Sequence, residues 1–456
     1  MNILMRKSSI AAAALCLTVL GGCSDFLNSE KAVADPNAPT VANTNQLFIG
    51  DLTNIFANEE GPVEMLICEW MQQCAGINGR FVDTQGTYTI DASTFDTPFQ
   101  NIYNGGGLIG LRAVESRADA SGDKLYKGIA EVLEAMDITF AADIWGDIPY
   151  ADAVGSTVTP AFEPQMQVYT DVLALLDKAI ADIGAGGTGP GAFDLVYGGN
   201  GANWIEAAHT LKARIYLHQV EKLGNAQYTN ALTEARKGIS APAHDWKTAH
   251  TGATSERNMW AQFQTSSFGN DLVAGSVLVN LMKAQKDPRL ADYFGPNADG
   301  GFGGYDVTTG STPADSISHL VGAGRVTDDF AQPVITYDET QLIIAEAAFQ
   351  TGDKASAATA FNNVRTELGK ATIASGALTL NDIMTEKYIS LYQNPEVWND
   401  YKRTCLPALK PARSKSRIPG RIFYGLTEEQ TNPNTPASSA QNLFTVRNAN
   451  DPNACS

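Results

Sequence analysis

The first residue placed to do chemistry is Cys23. It follows Leu20-Gly21-Gly22, and an apolar run from Ile10 to Leu20 stands before it, behind Arg6 and Lys7. That run is too short to span a bilayer as a helix, which needs about 20 residues. Its charged start and small-residue end are those of an export signal. Two glycines leave room for a peptidase to cut ahead of the thiol, which is then the acceptor for lipid. The expectation is therefore loss of residues 1–22, acylation of Cys23 (palmitate among its chains) and a body anchored to a membrane by that lipid. Each buried methylene contributes roughly 0.8 kcal/mol to such an anchor. Ser24, at the second mature position, is not the aspartate that retains such proteins in the inner membrane.

Six cysteines are present. Cys16 leaves with the leader and Cys23 takes lipid, so Cys68, Cys74, Cys405 and Cys455 remain, an even number in an oxidising compartment. Three pairings are open. Cys68 and Cys74 lie six residues apart on an apparent helix, about 9 Å of rise, too far for a bridge unless that helix breaks. A Cys405–Cys455 bridge would pin the irregular tail and is the expected one.

The remaining reactive types do not assemble a catalytic centre. Gly105, Gly107 and Gly110 spell a dinucleotide fingerprint, but no buried strand or βαβ unit precedes them. A turn or close helix contact is the reading there. Asp299–Asp306 (DGGFGGYD) resembles a calcium-binding nonapeptide, with Tyr305 standing at the aspartate position and no tandem copy. His209 and His218 are nine apart on one helix and cannot share a metal. His244 and His250 read as solvated loop residues, and His319 has no ligand-spaced partner. No GxSxG elbow exists. With 50 acidic residues, no carboxylate pair is singled out as a glycosidase dyad. No metal and no cofactor are expected.

Aromatic side chains offer different chemistry. A tryptophan or tyrosine face stacks on the apolar face of a sugar, and amides and carboxylates bond its hydroxyls. The candidates are Phe81, Tyr88, Trp246, Trp260, Phe268, Phe302 and Tyr305 in loop regions, with Trp70 on a helix beside one. The Trp260–Phe268 stretch and the pair Phe302/Tyr305 are preferred, because Gly, Ser, Asn and Gln surround them. Trp70 and Phe81 complete the expected ligand set. Core packing is the competing role for each. Formal charge is −18, becoming −20 once Arg6 and Lys7 leave. A body this acidic excludes nucleic acid, whose phosphates need clustered Lys and Arg.

Helices must position these residues. Apolar spacing of three and four predicts them over 46–57, 62–75, 99–116, 124–142, 165–183, 204–223, 226–239, 272–284, 338–351, 354–368 and 380–392. Within Tyr337–Leu368, Ala345, the Gly352-Asp353 turn, Ala357, Phe361 and Val364 fall at tetratricopeptide-repeat spacing. The fold class is mostly α, a scaffold of tetratricopeptide-like helical hairpins including about 124–239 and 337–392. A long irregular, loop-rich subregion, including about 76–98 and 240–336, forms the ligand face, because loops this long are uncommon unless functional. The organisation is leader 1–22, lipidated stalk 23–45 and one globular domain 46–456.

Five stretches, in this order, resemble the SusD/RagB group of bacterial surface lipoproteins, in a divergent branch. They are Asp143–Tyr150 (DIWGDIPY), Trp204–Leu217 (WIEAAHTLKARIYL), Tyr337–Arg365, Glu386–Arg403 (ending WNDYKR) and Arg417–Gly425 (RIPGRIFYG). Locally, Pro149 holds Asp147-Ile148 extended, Trp398 and Tyr401 pack, and Arg403 bonds an acid.

The resemblance implies an outer-membrane, lipid-anchored, surface-exposed protein without enzymatic activity. It would capture oligosaccharide or peptide nutrients and pass them to a SusC-like TonB-dependent transporter that it caps as a hinged lid. No binding residue carries over from the family's ligand loops. Ser24–Asn28 holds one acid, so an acidic surface-export signal is not evident. Two other readings stand: a tetratricopeptide-like scaffold for envelope assembly that takes no small ligand, and an exported glycosidase.

Overall fold

The computed structural model describes residues 42–320, 325, 327–413, 415–437, 440–453 and 455. The leader, Cys23 and the stalk up to residue 41 lie outside the described residues. Among those described, no helix is long and apolar enough to cross a membrane. Leu47–Ser456 form one compact unit.

Several helices start where a side chain takes an orphan amide. Asn43 and Gln46 exchange reciprocal side-chain bonds to each other's N–H at the start of α1 (Thr44–Glu60). α2 is Pro62–Trp70, α3 Asp96–Tyr103 and α4 Leu108–Ser121. Asp123 caps α5 (Lys124–Trp145), which α6 (Gln165–Ala185) follows. Asn200 caps α7 (Gly201–His218); the short α8 (Val220–Leu223) and α9 (Ala226–Ala235) come next. Asn258 caps α10 (Met259–Thr265), ahead of α11 (Ser276–Gln285) and α12 (Leu290–Tyr293). Thr336 and Asp353 cap α13 (Tyr337–Gln350) and α14 (Lys354–Glu367). Thr379 and Asp382 form a capping box on α15 (Leu380–Ser390). α16 (Glu396–Thr404) and α17 (Leu426–Thr431) complete the set. Each such cap contributes about 1 kcal/mol.

α5 packs on α6, α7 on α9 and α13 on α14, while α6 meets α7 and α9 meets α13. This is a continuous stack of helical hairpins of tetratricopeptide character. Gly352, at φ +88°, makes the reversal between α13 and α14. Ala345, Ala357, Phe361 and Val364 are buried between them, as their spacing predicts.

The predicted 204–223 stretch divides at Gln219 and 226–239 ends at Ala235; three other stretches change more. The 99–116 stretch divides at Gly105-Gly106-Gly107, and Gly110 lies so close to α1 that a Cβ would sit 2.0 Å from Asp51 Oδ1. The glycine motif is thus a helix contact. The 62–75 stretch stops at Trp70, and Gln72 turns the chain at φ +58° into β1 (Cys74–Gly76). The 272–284 stretch opens as β3 (Leu272–Ala274), antiparallel to β1. β2 (Trp246–Lys247) likewise pairs with β4 (Pro333–Ile335). Strands of two or three residues carry no readable period, yet these ladders tie the loop-rich segments to the stack.

Distant motifs meet at one end of α5. Trp145 Nε1 donates to Phe423 O at 2.9 Å, Arg421 Nη2 to Trp145 O at 3.2 Å and Tyr424 OH to Asp147 O at 2.7 Å. Ile148 exchanges backbone bonds with Glu163, the extended exit that Pro149 requires. Cys405 and Cys455 are joined by a disulfide, with Cα atoms 5.3 Å apart, and this fastens the tail to the end of α16. Trp398 and Tyr401 are buried, and Arg403 pairs with Glu346 and Asp400.

The core is rich in carboxyl groups. Burial pushes Asp51 and Glu59 up to about 8 and Glu115 to about 9, so these acids are largely neutral at pH 7. Burial also raises Glu64, Glu69 and Asp137. A carboxyl raised by folding stabilises fully below its ordinary value near 4 and loses that contribution as pH climbs through the folded value. Stability should therefore fall from pH 5 to pH 9. The unfolding free energy from urea titrations at pH 5, 7 and 9 is expected to decline stepwise, by at least about 1.4 kcal/mol in all, one pKa unit in one group. A flat or rising series would contradict this account.

Candidate ligand-binding site

Beside the loop-rich face a groove of about 550 Å³ opens between α1 and the segment 249–262. Ile49, Thr53, Phe56 and Ala57 of α1 form one wall; Leu195, Ala249 and Met259 extend the apolar surface. His250, Thr251, Ser255, Glu256, Arg257 and Gln262 supply the polar groups. The size lies within the roughly 300–1,000 Å³ of small-ligand sites.

Glu60, at the end of α1, organises the floor. Its buried carboxylate accepts from His250 Nε2 at 2.7 Å, Asn258 Nδ2 at 3.0 Å and the Met259 amide at 3.2 Å. His250 Nδ1 faces Glu256 O at 3.1 Å. Both ring nitrogens therefore meet acceptors, and only the imidazolium donates from both. Burial would lower this histidine, but the bond to Glu60 outweighs it and the pKa is raised. The sequence reading of His250 as a solvated side chain is thus corrected: its acceptor lies 190 residues away in the chain. Arg257 Nε pairs with Asp328 at 2.6 Å, and its Nη2 donates to Thr265 at 2.8 Å. Both cations on the rim are matched by carboxylates.

The aromatic candidates fall into different places. Trp260 is 1 % exposed and donates from Nε1 to Glu64 Oε2 at 2.7 Å. Trp70 is fully buried, bonds Gln85 O at 3.0 Å and lies edge-on to Tyr88 and Trp398. Phe81 is 2 % exposed. These three build the wall behind the face and present no free ring, contrary to the stacking role expected of them. The polar neighbours that suggested exposure have structural uses: Asn258 caps α10, and Gln262 bonds Arg257 O.

Phe263, half-buried, joins Phe81 to Trp260 with ring centres 5.4 and 6.3 Å away. Phe268 is 61 % exposed. Its loop approaches the exposed Ile77 and Asn78, whose amide and side chain bond Asp271 at 2.9 and 3.0 Å. Phe302 is half-buried on another loop. Tyr305 belongs to a separate small cluster with Ala75, Val273 and Ile317, and its hydroxyl accepts from Arg413 at 2.7 Å. Of the predicted set, Phe268 alone offers a largely open ring. The groove residues Phe56, Leu195 and Arg257 carried no signal in the sequence.

Elsewhere, Asp143, His218 and Glu396 bring donor atoms within 4.8 Å of one another in the helical core. His218 Nδ1 lies 3.0 Å from Asp143 and Nε2 2.9 Å from Glu396. Burial opposes the charged ring, but the two carboxylates prevail and raise His218 to about 9. With each nitrogen spent on its own carboxylate, the triad is a closed set of ion pairs.

The family model described as "Starch-binding associating with outer membrane" matches residues 36–425. The chain belongs to the SusD-like family. Its members are binding proteins associated with the outer membrane. Solved structures agree in fold. A SusD/RagB family protein from Bacteroides thetaiotaomicron is 19 % identical with a TM-score of 0.69, covering 90 % of this chain and 99 % of its own. A chitin-binding SusD homologue from Flavobacterium johnsoniae is 18 % identical with a TM-score of 0.73, covering 89 % and 99 %. A second chitin-binding protein is 17 % identical with a TM-score of 0.71, covering 90 % and 100 %. No curated protein matches the sequence.

Burial separates the aromatic candidates by experiment. Trp260→Ala should cost about 3–5 kcal/mol in urea unfolding, whereas Phe268→Ala should stay within about 0.5 kcal/mol. Equal costs would show that the two rings are not packed as described.

Proposed function

We propose that this SusD-like protein captures a neutral oligosaccharide in the groove between α1 and 249–262 and does no bond cleavage. The groove itself is the observation that carries the reading: an apolar wall for sugar faces, rimmed by hydroxyls, amides and backbone groups for their oxygens. The charge balance supports a neutral ligand, since His250 and Arg257 are already paired with Glu60 and Asp328. The chitin-binding structural neighbours make a glycan the first class to try, ahead of a peptide. Phe268, at 61 % exposure, supplies a further stacking face on the same loop-rich region.

Around that site we place the rest of the reading. Lipid on Cys23 holds the protein at the outer membrane with its body outside the cell. The helical stack meets a SusC-like TonB-dependent transporter, which takes the ligand onward.

The groove is testable at Thr53, an exposed α1 residue whose hydroxyl bonds only its own helix, to Ile49 O and Gly50 O. Thr53→Trp should fill the cleft without disturbing the fold. Titration calorimetry of the soluble body with chito- and malto-oligosaccharides and with short peptides is expected to find one glycan series that binds. Affinity should fall at least about tenfold, 1.4 kcal/mol, in Thr53→Trp at an unchanged urea midpoint. Equal affinity in the variant would remove the groove, and binding of peptides alone would replace the glycan.

A further inference from the structure

Among the described residues, Cys68 and Cys74 are the cysteines outside the Cys405–Cys455 bridge, and both are completely buried. On an unbroken helix they would stand about 9 Å apart along the axis. The chain does not continue that helix. α2 stops at Trp70, Gln72 takes φ +58°, and the Gln73 amide folds back to Cys68 O at 3.0 Å. Cys74, the first residue of β1, is thereby returned to the last turn of α2. The two thiols stand close enough to act on each other's ionisation. Among the described residues, no third histidine, cysteine or carboxylate joins them in a metal-ligand cluster. Two thiols without further ligands fall short of the four a structural zinc takes.

We propose that Cys68 and Cys74 are joined as a second disulfide in the exported protein. The oxidant is a thiol–disulfide oxidoreductase of the cell envelope. One cysteine thiolate attacks the oxidoreductase disulfide and forms a mixed disulfide; the other then displaces the enzyme thiolate. Two thiols lose two protons and two electrons, and the enzyme disulfide is reduced to a dithiol. The exchange belongs to folding, before α2 and β1 close. Burial pushes the Cys68 thiol up to about 11, which leaves little thiolate once the core is shut. The bridge fastens the turn from which β1 leads to Ile77, Asn78 and Arg80 of the ligand face. It rests on passage through the envelope and not on which ligand is bound.

The test uses the full chain recovered from the cell envelope, unfolded in guanidinium with iodoacetamide and no reductant. Cyanogen bromide then cuts after Met71, between the two cysteines. Expected are unalkylated Cys68 and Cys74, and two flanking fragments that stay linked until a reductant parts them. Alkylation of either Cys68 or Cys74 while Cys405 and Cys455 remain protected overturns the second bridge and leaves the envelope reading standing. Alkylation of all four overturns both.

Discussion

A positive charge fixed in the middle of an apolar stack governs this fold. His218 sits between Asp143 of α5 and Glu396 of α16, with no exposure to water. Asn399 bonds both carboxylates at 3.0 Å, and Tyr169 of α6 donates to Asp143. One turn before His218, Arg214 forks onto Glu339 of α13 at 2.7 and 2.8 Å. Five helices are thereby held by groups that tolerate no slippage. An ion pair in a low-dielectric interior gains little net stability over a well-packed apolar one, but losing one partner costs about 3–5 kcal/mol. Such a network selects one register of the helices over others of similar hydrophobic area.

The same device works on the loop-rich side. Segment 240–271 has little regular structure to hold it, and β2 contributes only two residues. Its backbone is fastened to α1 and α2 through buried carboxyls instead. Glu60 takes three donors from His250, Asn258 and Met259, and Glu64 takes the Trp260 indole. A groove wall built this way keeps its shape when empty. A preformed site spares the ligand the cost of ordering the loop.

The helical half of this architecture was legible because its signals are local. Apolar spacing, the Gly352 reversal and the small-large pattern of Ala345, Ala357 and Phe361 lie within one hairpin. Four of the family stretches also carry the ionic network: Asp143, Arg214, Glu339, Glu396 and Arg403 fall within them, and His218 directly follows one. The ligand face was not legible, because its pairings span the chain. Trp260 and its acceptor Glu64 are 196 residues apart, and His250 and Glu60 are 190. A tryptophan among Gly, Ser and Asn looks exposed until that acceptor is known. A histidine in a loop looks solvated for the same reason.

Composition was misleading in one further respect. A formal charge of −18 counts every acid as an ion. Burial raises Asp51 and Glu59 to about 8 and Glu115 to about 9, which favours the protonated form of each at pH 7. Keeping a proton spares each of them the larger cost of burying a charge. The acidic excess thus divides in two: ionised groups outside for solubility, and inside a set of acids whose burial favours the neutral form or whose charge is paired. The groove lies between these regimes. Its histidine is bonded to Glu60 and its arginine is paired with Asp328, within a body whose surface remains negative. An anionic ligand would meet no uncompensated cation there, whereas a neutral sugar, bonded through hydroxyls, meets an apolar wall with polar groups at its edge.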